Sequence, residues 1–246
     1  MGITNLEQFC RQFRALLAEK PEMTSLIRDG GGMMSELMGR RDWFGGILEK
    51  ILFDREFSEG QRVGIWPNEI TLHRSPDRSF QVLCYIWGPY LSDIAHDHGS
   101  WGIIGSFVNP IGERKYRRLD DGTREGYAEL KEISSKILKP GETTSVLPLN
   151  NGIHRMENRS DDIAITINVY GRAVRKGYIQ FFYPEDRTVT RVYPPKPLKE
   201  ALAVRAAGAL RAPWSEALLK KVLSSGLPDP IRQEGEFSLA RLKSPL

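Results

Sequence analysis

Hydrophobic and polar positions divide the chain into a helical start, a β-rich middle and a helical end. An apolar stripe follows the capping-box sequence Thr4-Asn5-Leu6-Glu7 and stops before Pro21, which predicts a first helix. Residues 33–38 and 43–52 predict two more short helices, and Asp29-Gly30-Gly31-Gly32 predicts a flexible break before them. The stripe consists of Leu6, Phe9, Phe13, Leu16 and Leu17.

From about residue 62 the pattern changes to short apolar runs separated by Gly, Pro, Asn and Asp. Many short strands without intervening helices are typical of an all-β barrel or jelly roll. Turns are predicted at Asn109-Pro110-Ile111-Gly112, at Asp120-Asp121-Gly122 and at Lys139-Pro140-Gly141. The predicted strands are residues 64–67, 69–73, 80–87, 94–98, 101–108, 113–119, 127–133, 143–147, 153–158, 163–170, 178–183 and 188–193.

Helical periodicity returns after Pro194-Pro195-Lys196-Pro197. Leu198, Leu202 and Arg205 predict one helical stretch, and a second helix is predicted from Pro213 to a closing Gly226. Residues 235–246 are predicted to form a tail. We therefore expect an N-terminal helical extension at 1–60, a β-barrel at 61–195, and a C-terminal helical extension with the tail at 196–246. The C-terminal helices are expected to pack outside the barrel or on a partner chain.

Composition and charge bear on the expected partners and cellular setting of the protein. The net charge is +4 and the charged fraction 27%, and no run of five basic residues occurs, so nucleic acid is not an expected partner. No apolar run is long enough to span a bilayer, and no signal peptide is recognised at the N-terminus. Cys10 and Cys84 do not make a disulfide framework, which favours a reducing, cytoplasmic setting. The oligomeric state stays open, with a homodimer as one option.

Two of the four histidines stand one residue apart, in His96-Asp97-His98. Alternate side chains of a strand share a face, so both imidazoles point to one place while Asp97 points away. Two nitrogens do not complete a metal site, and His154 is the obvious third ligand. The alternative is that these are barrel histidines with satisfied hydrogen bonds and no metal.

Two motifs contain these histidines: Gly88, His96 and His98, after Trp87-Gly88-Pro89, and then Gly141, Pro148, Gly152, His154 and Asn158. Over roughly residues 80–171 the chain resembles the cupins, and among them the thiol dioxygenases of the cysteine dioxygenase type. Most cupins carry a glutamate ligand soon after the histidine pair, whereas residues 99–104 here contain no carboxylate. That absence marks the three-histidine cysteine dioxygenase type, and the Trp101-Gly102 step resembles bacterial members that act on 3-mercaptopropionate.

The resemblance implies a fold, a metal and a reaction. The fold is an all-β core, the cupin double-stranded β-helix (jelly-roll barrel), here with N-terminal and C-terminal helical extensions. The cofactor is one mononuclear Fe(II), held by His96, His98 and His154. The reaction adds both atoms of O2 to the sulfur of a small thiol, cysteine or a mercapto-carboxylate, and gives a sulfinic acid.

The family's Ser-x-His-x-Tyr run corresponds to Thr166-Ile167-Asn168-Val169-Tyr170, whose alternate members share one face. The resemblance implies that Tyr170 is catalytic and faces the iron-bound oxygen or the substrate. Asn168, at the histidine position, cannot relay a proton as imidazole does, so a substrate-binding role is expected instead. The alternative for Tyr170 is a core tyrosine with a satisfied hydroxyl.

A substrate carboxylate favours an arginine, which can donate two parallel hydrogen bonds. The family's arginine lies upstream, near Leu72-His73-Arg74, so His73 and Arg74 are candidates. Arg172 and Arg175 are rivals, because bacterial members use an arginine in that downstream region. Trp101 either walls the pocket or packs in the barrel, and Cys84 is expected to be an inert core residue.

Two other functions stay open. One is a divergent metal cupin with another reaction, an isomerase or a carbon-directed oxygenase, of which Asn168 would be the sign. The other is a non-enzymatic, metal-dependent small-molecule sensor or binding module. The sequence favours the dioxygenase, because open coordination positions serve no purpose for a structural metal.

Overall fold

The computed structural model describes residues 2–61, 63–210 and 212–243. Helices, then strands, then helices follow one another in the predicted order. The helices are α1 (Leu6–Ala18), α2 (Met23–Met38), α3 (Asp42–Phe53), α4 (Arg55–Glu59), α5 (Pro195–Leu210), α6 (Ser215–Leu223) and α7 (Asp229–Lys243). The strands are β1 (Glu69–Arg74), β2 (Phe80–Trp87), β3 (Ala95–His96), β4 (Gly102–Val108), β5 (Ile111–Arg118), β6 (Leu130–Leu138), β7 (Thr143–Val146), β8 (Ile153–Glu157), β9 (Ala164–Gly171), β10 (Ile179–Tyr183) and β11 (Thr188–Val192).

Two antiparallel sheets enclose the interior of a jelly-roll barrel. The first has the strand order β1-β2-β9-β4-β7, and the second has the order β11-β10-β3-β8-β5-β6. Leu83 and Tyr85 of the first sheet pack in one cluster with Ile111 and Met156 of the second. Inward and outward residues alternate along each strand, so every second side chain lines the interior. The predicted all-β core with helical extensions is confirmed.

The outer face of the five-stranded sheet is covered by α1, α2 and α3, whose apolar side chains join one core with it. The predicted flexible break at Asp29–Gly32 is wrong, because these residues lie inside α2. Gly30 and Gly31 allow close packing of the helix on the sheet. A Cβ at Gly30 would lie 2.8 Å from Cδ1 of Ile103 and equally close to the ring of Phe13. The composition that suggested flexibility therefore reflects tertiary contact.

The described chain forms two compact units. The first comprises the described residues within Met1–Arg62, Trp66–Arg175 and Gln180–Thr190, and the second those within Val63–Ile65, Lys176–Ile179 and Arg191–Leu246. In the second unit α5, α6 and α7 pack on one another around Ala201, Leu219 and Ile231. The predicted tail is wrong for residues 235–243, which belong to α7, and residues 244–246 lie outside the described residues. The boundaries expected at 60 and 195 stay predictions.

Smaller differences have local causes. Asn5 rather than Thr4 caps α1, and its side chain accepts a hydrogen bond from the Gln8 amide. Residues 64–67 form no strand, and the predicted turn at 109–112 is shorter, because β5 begins at Ile111. The predicted strand at 94–98 is reduced to Ala95–His96. No described helix combines the length and the apolar run that crossing a bilayer requires.

Candidate metal centre

Three imidazoles meet inside the barrel. Strands β3 and β8 are antiparallel neighbours that place His96 directly opposite His154, and His98 follows two residues after His96. All three side chains are buried, and one ring nitrogen of each lies within 4.8 Å of the others. The structure thus brings together the three residues predicted as ligands, and this cluster can bind a metal ion.

Each imidazole is oriented through its Nδ1 atom. Nδ1 of His96 donates to the carbonyl of Ile94 at 2.8 Å, and Nδ1 of His154 donates to Oε1 of Glu113 at 2.9 Å. Nδ1 of His98 donates to the carbonyl of Gly152 at 3.4 Å. A proton held on Nδ1 leaves Nε2 unprotonated, so the Nε2 atoms are the ones available to bind a metal ion.

Burial keeps the cluster neutral. It lowers the pKa of His96 to about 4 and lowers the pKa values of His98 and His154 well below their ordinary value. Charge on a neighbouring imidazole lowers the pKa values of His98 and His154 further. Neutral imidazole is the form that binds metals, so at neutral pH no proton has to leave before an ion enters.

Glu113 on β5 contacts the cluster, and the sequence analysis missed it. Its buried carboxylate accepts from His154 and, at 2.8 Å, from the Thr144 hydroxyl. Burial raises the pKa of Glu113, and Lys115 acts in the opposite direction at 3.8 Å. The available signal was an acidic residue directly before the basic cluster at 114–118, on the strand face that also carries Ile111 and Lys115. Its position behind His154 depends on the pairing of β5 with β8.

Tyr170 and Asn168 lie beside the cluster. The Tyr170 ring stacks on that of His98, with the centroids 5.4 Å apart and the planes at 19°. Nδ2 of Asn168 donates to the Tyr170 hydroxyl at 3.1 Å. Burial raises the pKa of Tyr170, so the phenol keeps its proton at neutral pH. Gly102 makes room for the ring, because a Cβ there would lie 2.5 Å from Cε1 of Tyr170.

Asp97 points away from the cluster, as strand alternation predicted. Its carboxylate accepts from Arg175 at 2.8 and 2.5 Å and from the Gln180 amide at 2.8 Å. Arg175, a rival for a substrate carboxylate, therefore holds this segment in place. Trp66, which the sequence analysis did not single out, lies with its ring 5.0 Å from that of His96.

Other predicted substrate contacts lie elsewhere. The His73 ring packs on Phe80 at 5.4 Å, because a bulge in β1 places His73 opposite Val82, on the outer face of the sheet. Arg74 is exposed and donates to Thr71 at 3.4 Å. It lines an outer groove with Asp54 and Glu56. The expectation that His73 or Arg74 faces the site is therefore corrected.

Trp101 and Arg172 also point away from the imidazoles. The Trp101 ring lies 6.2 Å from that of Phe13 in α1, and it occupies the space over Gly171. It belongs to the layer between sheet and helices and does not wall the pocket. Arg172 donates to the carbonyl of Asp77 at 3.2 Å in an exposed position. Cys84 is buried in the same outer core, and burial raises its pKa to about 12.

No family model matches the sequence. Solved structures with a similar fold are cupin-domain proteins. A cupin domain of an XRE-family transcriptional regulator from Enterobacter cloacae shares 12% identity over 44% of this chain and 96% of its own, with a TM-score of 0.32. A cupin barrel protein from Salinispora arenicola shares 16% over 47% and 84%, with a TM-score of 0.32. A sugar phosphate isomerase of the cupin superfamily from Silicibacter pomeroyi shares 14% over 52% and 78%, with a TM-score of 0.32. At such identities and TM-scores the reaction of a neighbour does not transfer to this chain.

Proposed function

We propose that this protein is a non-haem Fe(II) dioxygenase that oxidises a small thiol, cysteine or a mercapto-carboxylate, to a sulfinic acid. The neutral donor set carries the proposal. Within the described residues the metal-binding cluster consists of three imidazoles and contains no carboxylate or thiolate. A divalent ion held by neutral ligands favours an anionic ligand from outside, and a thiol loses its proton readily on coordination.

The residues fit an iron ion. Imidazole is a suitable ligand for iron, and three protein ligands leave coordination positions open. Residues 99–104, the region in which most cupins carry their glutamate ligand, contain no carboxylate, and within it a Cβ at Gly102 would lie 2.5 Å from Cε1 of Tyr170. When bound, Fe(II) supplies the redox chemistry by which both atoms of O2 join the thiol sulfur. The balance is RSH + O2 → RSO2H, so no further reductant is required.

Tyr170 has the properties of a hydrogen-bond donor toward the reacting atoms. Its oxygen already accepts from Asn168, so the hydroxyl proton remains for a substrate or oxygen atom. Burial keeps that proton in place at neutral pH. Stacking on His98 restrains the ring at the edge of the metal centre. We assign Tyr170 the role of orienting the reactants and stabilising negative charge on oxygen.

Iron reconstitution followed by oxygen uptake tests the proposal. Protein loaded anaerobically with Fe(II) should consume one O2 per thiol and form a sulfinate with at least one member of a panel of small thiols. His154→Ala should lose both iron and uptake. The chain offers a matched control, because His73 is the one histidine outside the cluster and His73→Ala should keep both.

Two results would overturn the proposal. One is the absence of oxygen uptake across the panel in iron-loaded wild-type protein. The other is a His154→Ala variant that is as active as His73→Ala. Retention of manganese, nickel or zinc without thiol oxidation would instead support another cupin reaction.

A further inference from the structure

Asn168 carries a hydrogen-bond acceptor that the fold leaves unused. The side chain is 5% exposed, and its Nδ2 is engaged by Tyr170. Its Oδ1 is buried and has no hydrogen-bond partner. Buried polar atoms in native proteins nearly always have a partner, and an orphaned one is costly. A donor that belongs to a ligand would satisfy this oxygen.

The acceptor lies in the barrel interior, beside the metal centre. On β9, Asn168 pairs with Leu83 of β2 and Ile104 of β4, two residues of the inner core cluster. Its amide is one hydrogen bond from the Tyr170 hydroxyl, whose ring stacks on His98. A ligand bound at the three imidazoles can therefore extend to Asn168 and donate a hydrogen bond to its Oδ1.

The ionisable side chains that act on the Tyr170 hydroxyl are carboxyl groups. Glu69 of β1 points inward and accepts a hydrogen bond from the Tyr85 hydroxyl at 2.9 Å. Two further carboxyl groups, those of Asp93 and Glu113, also act on the Tyr170 hydroxyl, but burial raises the pKa of both, so Glu69 carries the argument for negative charge. Such surroundings favour a ligand group that is a cation and a donor over one that is an anion.

The cations offered by the sequence for a substrate carboxylate are engaged elsewhere. Arg74 lines the outer groove, Arg172 contacts the carbonyl of Asp77, and Arg175 binds Asp97. Among the described residues, two cations act on the imidazoles of the cluster. Arg175 acts on His98 and is held by Asp97, and Lys115 acts on His154 while its Nζ donates to the carbonyl of Ser145 at 2.7 Å. A mercapto-carboxylate that used Lys115 would have to compete with that hydrogen bond and with Glu113.

We propose that Oδ1 of Asn168 accepts a hydrogen bond from the ammonium group of the substrate, so that the site selects an aminothiol over a mercapto-carboxylate. The inference rests on the proposed function, because the thiol sulfur is taken to bind at the metal. Asn168 thereby connects two tasks. Its Nδ2 positions the Tyr170 hydroxyl, and its Oδ1 accepts a hydrogen bond from the ammonium group at the end of the substrate opposite the sulfur.

Thiol binding to the cobalt(II)-loaded protein, without oxygen, tests the inference apart from turnover. The probes are cysteamine, 1-propanethiol and 3-mercaptopropionate, which share a short chain and differ in the terminal group. The sulfur-to-cobalt absorption band reports each dissociation constant. Cysteamine should bind about tenfold or more tightly than 1-propanethiol, the gain expected of one hydrogen bond from a charged donor. 3-Mercaptopropionate should bind more weakly than cysteamine.

Two variants locate the effect. Asn168→Leu should remove the advantage of cysteamine, whereas Asn168→Asp, which keeps an acceptor, should retain it. Thr166→Val is the matched control, because Thr166 lies on the same face of β9 and its hydroxyl accepts from Trp87 instead. Thr166→Val should retain the advantage.

Tighter binding of 3-mercaptopropionate than of cysteamine overturns the inference. The inference is also overturned if Asn168→Leu still binds cysteamine more tightly than 1-propanethiol, or if Asn168→Asp does not. The aspartate variant keeps the test decisive if the leucine variant does not fold. Binding of the thiols without preference overturns the inference and leaves the proposed function intact. If no thiol alters the cobalt spectrum, the proposed function itself fails.

Discussion

Replacing Glu113 by glutamine tests whether the carboxylate behind His154 sets the strength of the metal site. In the native protein Nδ1 of His154 donates to Oε1 of Glu113 at 2.9 Å. Glutamine has nearly the same shape and keeps an oxygen in that position. The substitution therefore removes the negative charge of the carboxylate while it preserves packing and one hydrogen bond.

The magnitude follows from the character of that hydrogen bond. A hydrogen bond to a charged group contributes about 1.5–3 kcal/mol, roughly twice as much as one between neutral groups. Loss of the charge therefore costs the metal-bound state about 1–1.5 kcal/mol, which is about a tenfold weaker metal affinity. This lies at the lower end of the roughly 10- to 100-fold loss seen when partners of metal-ligating histidines are removed. Glu113→Ala should reach the upper end, because it also leaves Nδ1 of His154 without its acceptor.

Competition with a chelating dye measures the dissociation constant for zinc(II), which involves no redox chemistry. Glu132→Gln on the neighbouring strand β6 is the control, because Glu132 is half-exposed and contacts Arg114 at 3.7 Å, away from the imidazoles. Its affinity should equal that of the wild type. If Glu113→Gln bound zinc within twofold of the control, the idea that this carboxylate strengthens the donor His154 would be refuted.

Three further predictions concern packing and charge. Gly102→Ala should destabilise the protein by about 1–3 kcal/mol and displace Tyr170, since the new Cβ would lie 2.5 Å from its ring; an unchanged melting temperature would contradict this. Burial lowers the pKa of His96 from 6.5 to about 4, so the unfolded chain takes up its proton first as the pH falls. The free energy of unfolding of the metal-free protein should therefore drop by up to about 3 kcal/mol between pH 6.5 and pH 4. Equal denaturation midpoints at pH 7 and pH 5 would contradict this pH dependence. Glu234→Gln should cost about 3–5 kcal/mol by leaving the partly buried guanidinium of Arg205 without its carboxylate, and a thermal shift of less than a degree would argue against this.

The parts of the fold that depend on neighbours in the chain were predictable from the sequence. Apolar spacing gave α1 and most of α3, and turn residues separated the strands of the barrel. The pair His96 and His98 indicated a candidate metal site because alternation along a strand places both imidazoles on one face. Asp97 was expected to point away from them, and it does. These features depend on the geometry of single helices and strands, so the spacing of residues along the sequence predicts them directly.

Other features depended on which elements meet. Trp101 and His73 face the helical layer, a choice set by the face of the sheet that α1 covers and by a bulge in β1. Asp29–Gly32 is helical because α2 packs closely on β4, which no local propensity expresses. The same limit applies to Arg74 and Arg172, whose partners lie on distant segments.

The sequence by itself determined the class of fold, the order of its elements and the identity of the three imidazoles. Tertiary structure alone decided that Glu113 stands behind His154 and that Oδ1 of Asn168 has no partner. The physical reason is that a side chain's hydrogen-bond partners and burial arise from strand pairing between segments far apart in the chain. The spacing of residues in the sequence specifies which face of a strand or helix a residue occupies. Only the packed barrel specifies which residues contact that face.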